Sequence, residues 1–588
     1  MQIHRWFSTF LLLCQLIDSS SRLVFAQEGP QTKSLCSATD RDVLLSFKTN
    51  ILMDTTDILS SWTGTDCCSG DWEGILCNSQ GSVTSFVLQR PVSHNEMFMK
   101  GTLPSSLGTL VFLETMVISG MKQIRGPIPA IFSRLTHLSQ LILEDNSLEG
   151  SIPPGLTMLS NLTALSLSGN RLGGQIPDNL GSLRKLQSLA LARNSFTGSL
   201  PATLNNLESV QTIDLSSNSF TGLLPDFMEG HLQNLNFMSL SSNQLSGKIP
   251  SSIFNLVKLQ DLSLDHNRLE GSLPSFSSTL TRLSVSSNRL SGRIPQSILA
   301  MANLWHLNLS GNAFVEPSPV IQGIQLPSLL QIDLSYNNLS LGTIPSWITD
   351  KELSDVRLAG CKLRGPLPTF KRSSALTSLD LSDNFLADGI SSFFNNMSSL
   401  QTVKLSNNQL AFDILQLRLP DGVISVELQG NNLTGFISSI LNNSTSSFLE
   451  VLDVSRNQIS GSIPDFVEGL SIKVLNLGSN RIRGQIPSSI SNLAQIEMFD
   501  ISRNQVTGSI PPSLGLLPNL HWLDLSRNGL IGKIPATLLG IKSLRHANFK
   551  ANQLCGEIPQ GRPLNAFKPI AYGHNQCLCG KPLPPCKT

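Results

Sequence analysis

Aspartates recur along this sequence at one constant position of a repeating pattern. Two carboxylates on either side of a scissile bond are the usual machinery of glycoside hydrolysis, but such a pair occurs once in an enzyme and not periodically. We therefore interpret these acids as solvated side chains on the faces of strands. The recurring residues are Asp214, Asp333, Asp380, Asp453, Asp500 and Asp524.

The other residue types that could do chemistry are scattered. Nine histidines are spread over the chain, and none belongs to a His-Glu-x-x-His motif. The sequence also lacks the Gly-x-Ser-x-Gly and glycine-rich phosphate-binding motifs. It therefore predicts a protein that is not an enzyme and that uses neither a metal nor a cofactor.

Cysteine occurs in two clusters of four, with two further single residues. The even clusters indicate two disulfide-bonded modules in an oxidising compartment, and a zinc site at the Cys-x-Cys pair is the alternative. The single Cys14 lies in the N-terminal segment. The single Cys361 is interpreted as a small buried residue, with a redox or catalytic thiol as the alternative. The clusters are Cys36, Cys67, Cys68 and Cys77, and Cys555, Cys577, Cys579 and Cys586.

The overall charge excludes some classes of partner. The 588 residues contain 42 Lys+Arg and 41 Asp+Glu, which gives a net charge of +1. A chain with so small a net charge lacks the positive electrostatic field that would attract nucleic acid or an anionic membrane. Charged residues make up 14% of the sequence, so the surface is built mostly from neutral polar side chains.

Residues 1–26 have the features of a secretory signal peptide. An almost unbroken apolar run covers 6–17, and Ala26 offers a small residue before a cleavage point. No later apolar run reaches the roughly 18 to 20 residues of a transmembrane helix. We expect a mature chain that begins near Gln27, lies outside the cytosol and has no transmembrane segment.

One repeat fills the chain between the two cysteine clusters. Segments 162–185 and 472–495 superimpose without gaps on the frame L-x-x-L-x-L-x-x-N-x-L-x-G-x-I-P-x-x-L-x-x-L-x-x, with a period close to 24 residues. Two looser copies, at Val83 and Leu113, bring the total to about twenty repeats if Cys361 is counted at one Asn position. The Asn of the frame falls at Asn146, Asn170, Asn194, Asn218, Asn243, Asn267, Asn288, Asn312, Asn337, Asn384, Asn408, Asn431, Asn457, Asn480, Asn504, Asn528 and Asn552.

Each part of the repeat has a physical interpretation. The alternation L-x-L predicts a short strand with one buried face, and stacked repeats place these strands in a parallel sheet on the concave side of a solenoid. The recurring Asn predicts an internal ladder, in which its amide bonds the backbone of its own and the next repeat. Gly-x-Ile-Pro then turns the chain onto the convex side.

This frame resembles the plant-specific extracellular class of leucine-rich-repeat proteins, which includes receptor-kinase ectodomains, receptor-like proteins and secreted polygalacturonase inhibitors. Segments 40–48, 59–68 and 72–77 are similar to its N-terminal cap, and 552–559 with 575–586 is similar to the terminal cap of the inhibitors. The resemblance implies an α/β solenoid: a right-handed leucine-rich-repeat superhelix of about twenty repeats, with a parallel concave sheet and disulfide-bonded end caps. It also implies the pairs Cys36–Cys67, Cys68–Cys77, Cys555–Cys577 and Cys579–Cys586.

The expected domains are a signal peptide at 1–26, an N-terminal cap at 27–80, the solenoid at 81–553 and a C-terminal cysteine cap at 554–588.

The chain departs from the family in three ways. It has about twice as many repeats as the polygalacturonase inhibitors, we expect it to lack the membrane helix into which the receptors continue, and it leaves no room for the inserted island of some hormone-binding members. A brassinosteroid-type pocket is therefore disfavoured.

The concave face carries the candidate binding residues, at positions 7, 6, 4, 2 and 1 before the ladder Asn. Aromatic and charged side chains there are hot-spot candidates for a protein or peptide partner. The alternative is that the Arg and Asp columns neutralise each other across the sheet. One patch consists of Trp305, His306 and Tyr336, and the other of Arg456, Glu497, Met498, Asp500, Arg503, His521, Trp522, Asp524 and Arg527.

Seven Asn-x-Ser/Thr sequons are candidate glycosylation sites in a secreted chain. Asn308 is unusual because it lies between two strand leucines and faces the concave side, where it either stays bare or carries a glycan. The sequons are at Asn161, Asn308, Asn338, Asn396, Asn432, Asn442 and Asn443.

From the resemblance we expect a non-enzymatic recognition protein of the apoplast or cell wall, which binds an extracellular protein or peptide, such as a receptor-kinase ectodomain, in wall, defence or developmental signalling. The alternative is a stoichiometric inhibitor of a secreted, pectin-degrading polygalacturonase.

The signal peptide gives the first testable prediction. The purified secreted protein should begin near Gln27, because the longest apolar run lies at the N-terminus and is too short to be a transmembrane helix. Edman sequencing of protein from the culture medium measures this directly. An intact Met1, or protein that stays with membranes after a carbonate wash, would contradict it.

Overall fold

A computed structural model of the chain describes residues 35–91, 94–226, 231–275, 279–316, 326–441 and 448–586. The predicted signal peptide and two of the predicted sequons, Asn442 and Asn443, lie outside these residues. Within the described ranges, no helix combines the length and the apolar character needed to cross a membrane.

A long sheet of short strands forms the concave side. In the strand Ser188–Ala190, the central Leu189 is fully buried while its neighbours are partly exposed. Leu189 lies opposite Leu165 and Ile213 of the adjacent repeats, and this parallel register continues along the sheet. The described residues contain twenty parallel strands. Their bounds are Val83–Gln89, Thr115–Ser119, Gln140–Ile142, Ala164–Ser166, Ser188–Ala190, Thr212–Asp214, Phe237–Ser239, Asp261–Ser263, Arg282–Ser284, His306–Asn308, Gln331–Asp333, Asp355–Arg357, Ser378–Asp380, Thr402–Lys404, Ser425–Glu427, Val451–Asp453, Val474–Asn476, Met498–Asp500, Trp522–Asp524 and His546–Asn548.

The concave sheet is an open arc. At its N-terminal end the strand Ile75–Cys77 pairs antiparallel with Val83–Gln89. At its other end lies His546–Asn548, and no pairing joins these two ends in the part of the chain that the structure describes. The parallel sheet of about twenty repeats confirms the predicted solenoid.

Short lateral strands form additional sheets of seven, four, two and four strands beside the concave sheet. They begin close after the ladder position, and Gly at a positive φ, such as Gly198, ends many of them and turns the chain to the convex side. Their bounds are Ile51–Asp54, Met99–Thr102, Lys122–Gly126, Ser147–Gly150, Arg171–Gly174, Ser195–Gly198 and Ser219–Phe220; Ser246–Gly247, Arg268–Ser272, Arg289–Arg293 and Ala313–Val315; Arg364–Gly365 and Phe385–Leu386; and Thr507–Ser509, Gly529–Gly532, Gln553–Glu557 and Cys577–Cys579.

The convex side consists mostly of single 3-10 turns. A proline precedes many of them, as Pro201 precedes Ala202–Asn206, and fixes the φ angle at the entry. The two α-helices are Ala38–Asn50 and Ser346–Asp350 in the described residues. The 3-10 helices are Ile58–Ser61, Ser105–Thr109, Ala130–Arg134, Pro154–Met158, Asp178–Ser182, Ala202–Asn206, Ser251–Asn255, Gln296–Ala300, Ile390–Ser392, Ile414–Gln416, Ile437–Ser439, Ser488–Asn492, Pro512–Leu516, Ala536–Gly540, Leu564–Ala566 and Pro569–Ala571.

The asparagine ladder links each repeat to the one before it. Asn170 Nδ2 donates to the carbonyl oxygens of Leu143 in the preceding repeat, at 2.7 Å, and of Leu167 in its own repeat, at 3.0 Å. Asn170 Oδ1 accepts from the amide of Leu148, also in the preceding repeat, at 3.0 Å. The predicted ladder exists, but its direction was wrong, since the partner repeat precedes the Asn and does not follow it.

Cys361 occupies a ladder position with fewer bonds. Its Sγ lies 3.4 Å from the carbonyl oxygen of Leu334 and 3.6 Å from that of Ala359, and the side chain is fully buried. Burial raises the pKa of this thiol to about 12, and the nearby Asp333 adds to the effect. A protonated, buried thiol fits the structural interpretation and not that of a reactive cysteine.

The N-terminal cap covers the first repeat with aromatic side chains. Helix Ala38–Asn50 buries Phe47 against Phe86, with ring centroids 5.2 Å apart, and Trp62 stacks on Trp72 at 5.4 Å. The structure pairs Cys36 with Cys67 and Cys68 with Cys77 around this cluster.

The C-terminal cap is one more, shortened repeat. Asn575 Nδ2 donates to the carbonyl oxygens of Phe549 at 3.0 Å and Tyr572 at 2.9 Å, so it continues the ladder beyond Asn552. The strand Cys577–Cys579 pairs with the preceding lateral strand. The structure pairs Cys555–Cys577 and Cys579–Cys586 here.

The ladder gives a stability prediction. Cys361→Asn should raise the free energy of unfolding by about 1 to 2 kcal/mol, because a carboxamide would donate to Leu334 and Leu358 and accept from the Leu339 amide. Thermal unfolding of the purified variant measures the change as a higher Tm.

The reciprocal variant Asn384→Cys is the matched control and should lower Tm by a similar amount, since it removes bonds to Leu358 and Leu381. An unchanged or lower Tm for Cys361→Asn would show that the ladder does not stabilise the solenoid in this way.

Candidate functional site: the concave face

The recurring aspartates are held by the turn that follows each strand. Asp500 Oδ1 accepts from the amide of Ser502 at 2.8 Å, two residues ahead. Asp453 and Asp524 accept in the same way from Ser455 and Ser526, both at 2.9 Å. These acids lie on the strands as predicted, but they are partly buried and each caps a turn, so they are not simply solvated.

In this Asp row (Asp453, Asp500 and Asp524), the second oxygens of Asp453 and Asp524 also meet neutral donors. Asp453 Oδ2 accepts from Asn476 Nδ2 at 2.9 Å, and Asp524 Oδ2 accepts from Asn548 Nδ2 at 3.0 Å. Burial raises the pKa of Asp500 above its ordinary value, and the charges of Asp524 and Asp453 add to that rise. The spacing Asp-x-Ser in each repeat is the sequence signal that could have indicated this role.

A row of arginines lies at the end of the same turns. This Arg row consists of Arg456, Arg503 and Arg527, each directly before a ladder Asn and each in the left-handed region, with φ between 54° and 56°. All three side chains are exposed. Among the described residues, no ion pair joins the Arg row to a carboxylate. The structure thus does not support the alternative that the Arg and Asp columns neutralise each other.

Apolar side chains line the strands beside these rows. Met498 lies directly opposite Trp522 on the adjacent strand, and Trp522 stacks on His546 with centroids 3.6 Å apart and planes inclined by 13°. Trp522 keeps 40% of its surface exposed. Glu497 and His521, which precede these strands, are both exposed at the same edge. The structure therefore brings the predicted C-terminal residues together on one surface.

Two valines and a histidine that were not predicted from the sequence also belong to this surface. Val451 and Val474 lie in register with Met498, and His546 supports Trp522 from the next repeat. Their common position, six residues before the ladder Asn, is the signal that could have identified them.

The patch of Trp305, His306 and Tyr336, here called the middle patch, has a different structure. Trp305 lies 5.5 Å from His306, whose Nδ1 is 2.8 Å from Gln331 Oε1. Burial lowers the pKa of His306. Tyr336 extends away toward the C-terminus and donates to Asp383 Oδ2, two repeats on, at 2.6 Å. Burial, followed by the bond to Asp383, raises the pKa of Tyr336 to about 12.

Asn308 has a turn-capping role of its own. Its Oδ1 accepts from the amide of Ser310 at 3.1 Å and from the Ser310 hydroxyl at 2.7 Å. The residue lies on the concave sheet between Ser284 and Asp333. It thus replaces Asp at this position of the repeat, and its use as a glycosylation site stays a prediction.

A buried carboxylate lies earlier on the concave face. Asp261 is 5% exposed, and its Oδ2 lies 3.6 Å from Arg282 Nη1, beyond hydrogen-bonding distance. Burial raises the pKa of Asp261 to about 6, although Arg282 opposes this effect. Since an acid with a raised pKa disfavours the folded state when ionised, Asp261 costs stability at neutral pH.

Family models match the sequence in the N-terminal cap and in the repeats. The "Leucine rich repeat N-terminal domain" matches 37–78, and a "Leucine rich repeat" model matches 209–269. A further "Leucine Rich Repeat" model matches seven segments: 161–183, 185–207, 279–301, 375–397, 448–470, 471–493 and 519–541.

Curated relatives match over part of their length. The polygalacturonase inhibitor of Vitis vinifera is 33% identical over 135 residues, which are 22% of this chain and 37% of the inhibitor. Receptor-like protein 7 of Arabidopsis thaliana is 35% identical over 121 residues, which are 20% of this chain and 11% of that protein. The chain thus spans little more than a third of the length of the inhibitor that it matches.

Solved structures match over most of the chain. The complex of PEPR1 with AtPEP1 has a TM-score of 0.60 and 28% identity, and the match covers 89% of this chain and 80% of that one. The Arabidopsis receptor kinase HAESA, solved with the peptide hormone IDA and the co-receptor SERK1, has a TM-score of 0.53 and 27% identity, with 92% and 98% covered.

The fold, the ladder and these matches define a leucine-rich-repeat protein. A plant extracellular family of such proteins fits the matched relatives, as the resemblance predicted. Inhibitors and receptors are kinds of protein that act by binding, so the comparisons support ligand binding in general.

Asp261 yields a prediction on pH. Asp261→Asn should raise the free energy of unfolding at pH 7.5 by about 1 to 3 kcal/mol and change it little at pH 4. The folded protein keeps the Asp261 proton up to about pH 6, whereas the unfolded chain loses it near 3.8. Wild-type stability therefore falls as pH rises through this window, and the variant lacks that fall.

Tm measured from pH 4 to 7.5 tests this. Asp214→Asn is the matched control: Asp214 accepts two bonds from Ser216, so the substitution should bring no comparable gain at neutral pH. A Tm difference between wild type and Asp261→Asn that is independent of pH would contradict the account.

Proposed function

We propose that this chain is a non-enzymatic extracellular recognition protein, which binds a protein or peptide partner through the concave face of its C-terminal repeats. It would act in the apoplast or cell wall, in wall, defence or developmental signalling. The observation that carries the proposal is the exposed Arg row beside Trp522 on a sheet whose backbone is already fixed.

Two arguments support a binding role for this surface. The strands are rigidly paired before any partner arrives, so binding costs little ordering of the backbone. Partly exposed Trp and exposed Arg are also the residue types that contribute most to interfaces. The solved structure of HAESA, which shares this fold, is a complex with the peptide hormone IDA and the co-receptor SERK1.

A second candidate function is stoichiometric inhibition of a secreted polygalacturonase. It is favoured by the identity to the Vitis vinifera inhibitor, and it is weakened by the short part of that protein that is matched.

Capture from a plant wall extract discriminates between the two. The immobilised full chain should retain receptor ectodomains or secreted peptides, identified by mass spectrometry. Retention of a polygalacturonase, together with a loss of its activity at a one-to-one ratio, would instead support the inhibitor function.

The captured partner allows a mutational prediction. Replacing Arg503, Trp522 and Arg527 by Ala together should weaken binding about ten- to thirty-fold, since exposed hot-spot side chains contribute about 2 kcal/mol or more in sum. Biolayer interferometry measures the affinity, and an unchanged Tm shows that the exposed face still folds.

The control variant carries Trp305→Ala and Tyr336→Ala in the middle patch and should keep its affinity within about threefold. If the triple variant binds as tightly as wild type, the C-terminal concave face is not the binding surface.

A further inference from the structure

A continuous apolar stripe runs across the strands of the C-terminal repeats. It consists of Val451, Val474, Met498 and Trp522, which lie opposite one another in successive strands. The preceding three repeats have hydroxyl side chains in the same column: Ser378, Thr402 and Ser425. The stripe therefore begins where this run of three hydroxyl side chains ends.

The stripe is accessible and ends on an aromatic pair. The two valines and Met498 are half-buried, and Trp522 is exposed over 40% of its surface. His546 closes the row by stacking under the indole of Trp522. With strands about 4.8 Å apart, the four steps from Val451 to His546 span about 19 Å, the length of about six extended residues.

The two flanks of the stripe differ in how their charges are paired. On one flank, Glu450 and Lys473 form an ion pair at 2.8 Å, so those two residues neutralise each other. That flank continues with one acid, Glu497, and with the exposed His521 and Arg545.

On the other flank lie the Asp row and, beyond it, the exposed Arg row. The Asp carboxylates are partly buried and already accept bonds from the turn amides of Ser455, Ser502 and Ser526. The guanidinium groups of the Arg row have no carboxylate partner within the described residues. An acidic ligand that lies on the stripe can therefore reach guanidinium groups without an ion-pair partner beyond the Asp row.

We propose that the stripe binds an extended segment of about six residues that combines apolar and acidic side chains. The apolar side chains would pack on Met498 and Trp522, and the carboxylates would pair with Arg503 and Arg527. Arg guanidinium and carboxylate groups match in charge and in bidentate geometry. This inference rests on the proposed function and adds the chemistry of the partner to it.

Selection from a random peptide library tests the proposal without a known ligand. A phage-displayed library of nine-residue peptides is panned on the immobilised full chain. Enriched sequences should combine Asp or Glu with aromatic or aliphatic residues, and their binding should weaken about tenfold or more when the acids are changed to Lys.

Charge reversal gives the decisive comparison. The variant Arg503→Glu with Arg527→Glu should reverse the preference and enrich basic, apolar peptides. The matched control, Arg171→Glu with Arg289→Glu, makes the same change of charge on exposed lateral positions and should select acidic peptides as the wild type does.

Two results would overturn the proposal: enrichment that ignores charge, or no enrichment on the wild-type chain. Neither result contradicts the proposed function, because the binding of a folded partner captured from the extract can still depend on Arg503, Trp522 and Arg527. Conversely, acidic peptides that bind equally to wild type and to Trp522→Ala with Met498→Ala would show that the stripe is not their site.

Discussion

One carboxamide per repeat determines this structure. Each ladder Asn donates to a carbonyl of its own repeat and to one of the preceding repeat, and each except Asn146 also accepts an amide of the preceding repeat, so it fixes both the turn and the stacking. The ladder side chains are buried or partly buried and their partners are backbone groups, which makes the loss of one costly and its position periodic. Cys361 shows the limit of this rule, because a buried thiol can fill the space but cannot supply the same bonds.

Because of the ladder, the concave side chains are not needed to form the core. The leucines point inward and the carboxamides hold the turns, so the remaining positions of each strand can vary without loss of the fold. Some of them take a local structural role, as the Asp row does by capping turns. Others, such as the Arg row, make no ion pair within the described residues, and Trp522 stacks on His546 but keeps 40% of its surface exposed. Recognition of a partner is the function that we propose for them.

Much of this could be predicted from the sequence because the information is periodic. The frame fixed the strand positions, the ladder Asn and the approximate number of repeats, and the family resemblance implied the disulfide pairs. The direction of the ladder could not be predicted, since a single sequence does not say which neighbour a side chain meets. Asn575 was missed because its repeat is shortened, and the reach of Tyr336 to Asp383 across two repeats depends on a rotamer that no pattern encodes.

The central claim is that a partner binds the concave face of the C-terminal repeats. Hydroxyl-radical footprinting of the chain with and without its captured partner tests this most directly, because Met and Trp side chains report their own exposure. We expect Met498 and Trp522 to become protected, while the exposed Met158 of the convex side reacts as before. Protection of Met158, with Met498 and Trp522 unchanged, would contradict it.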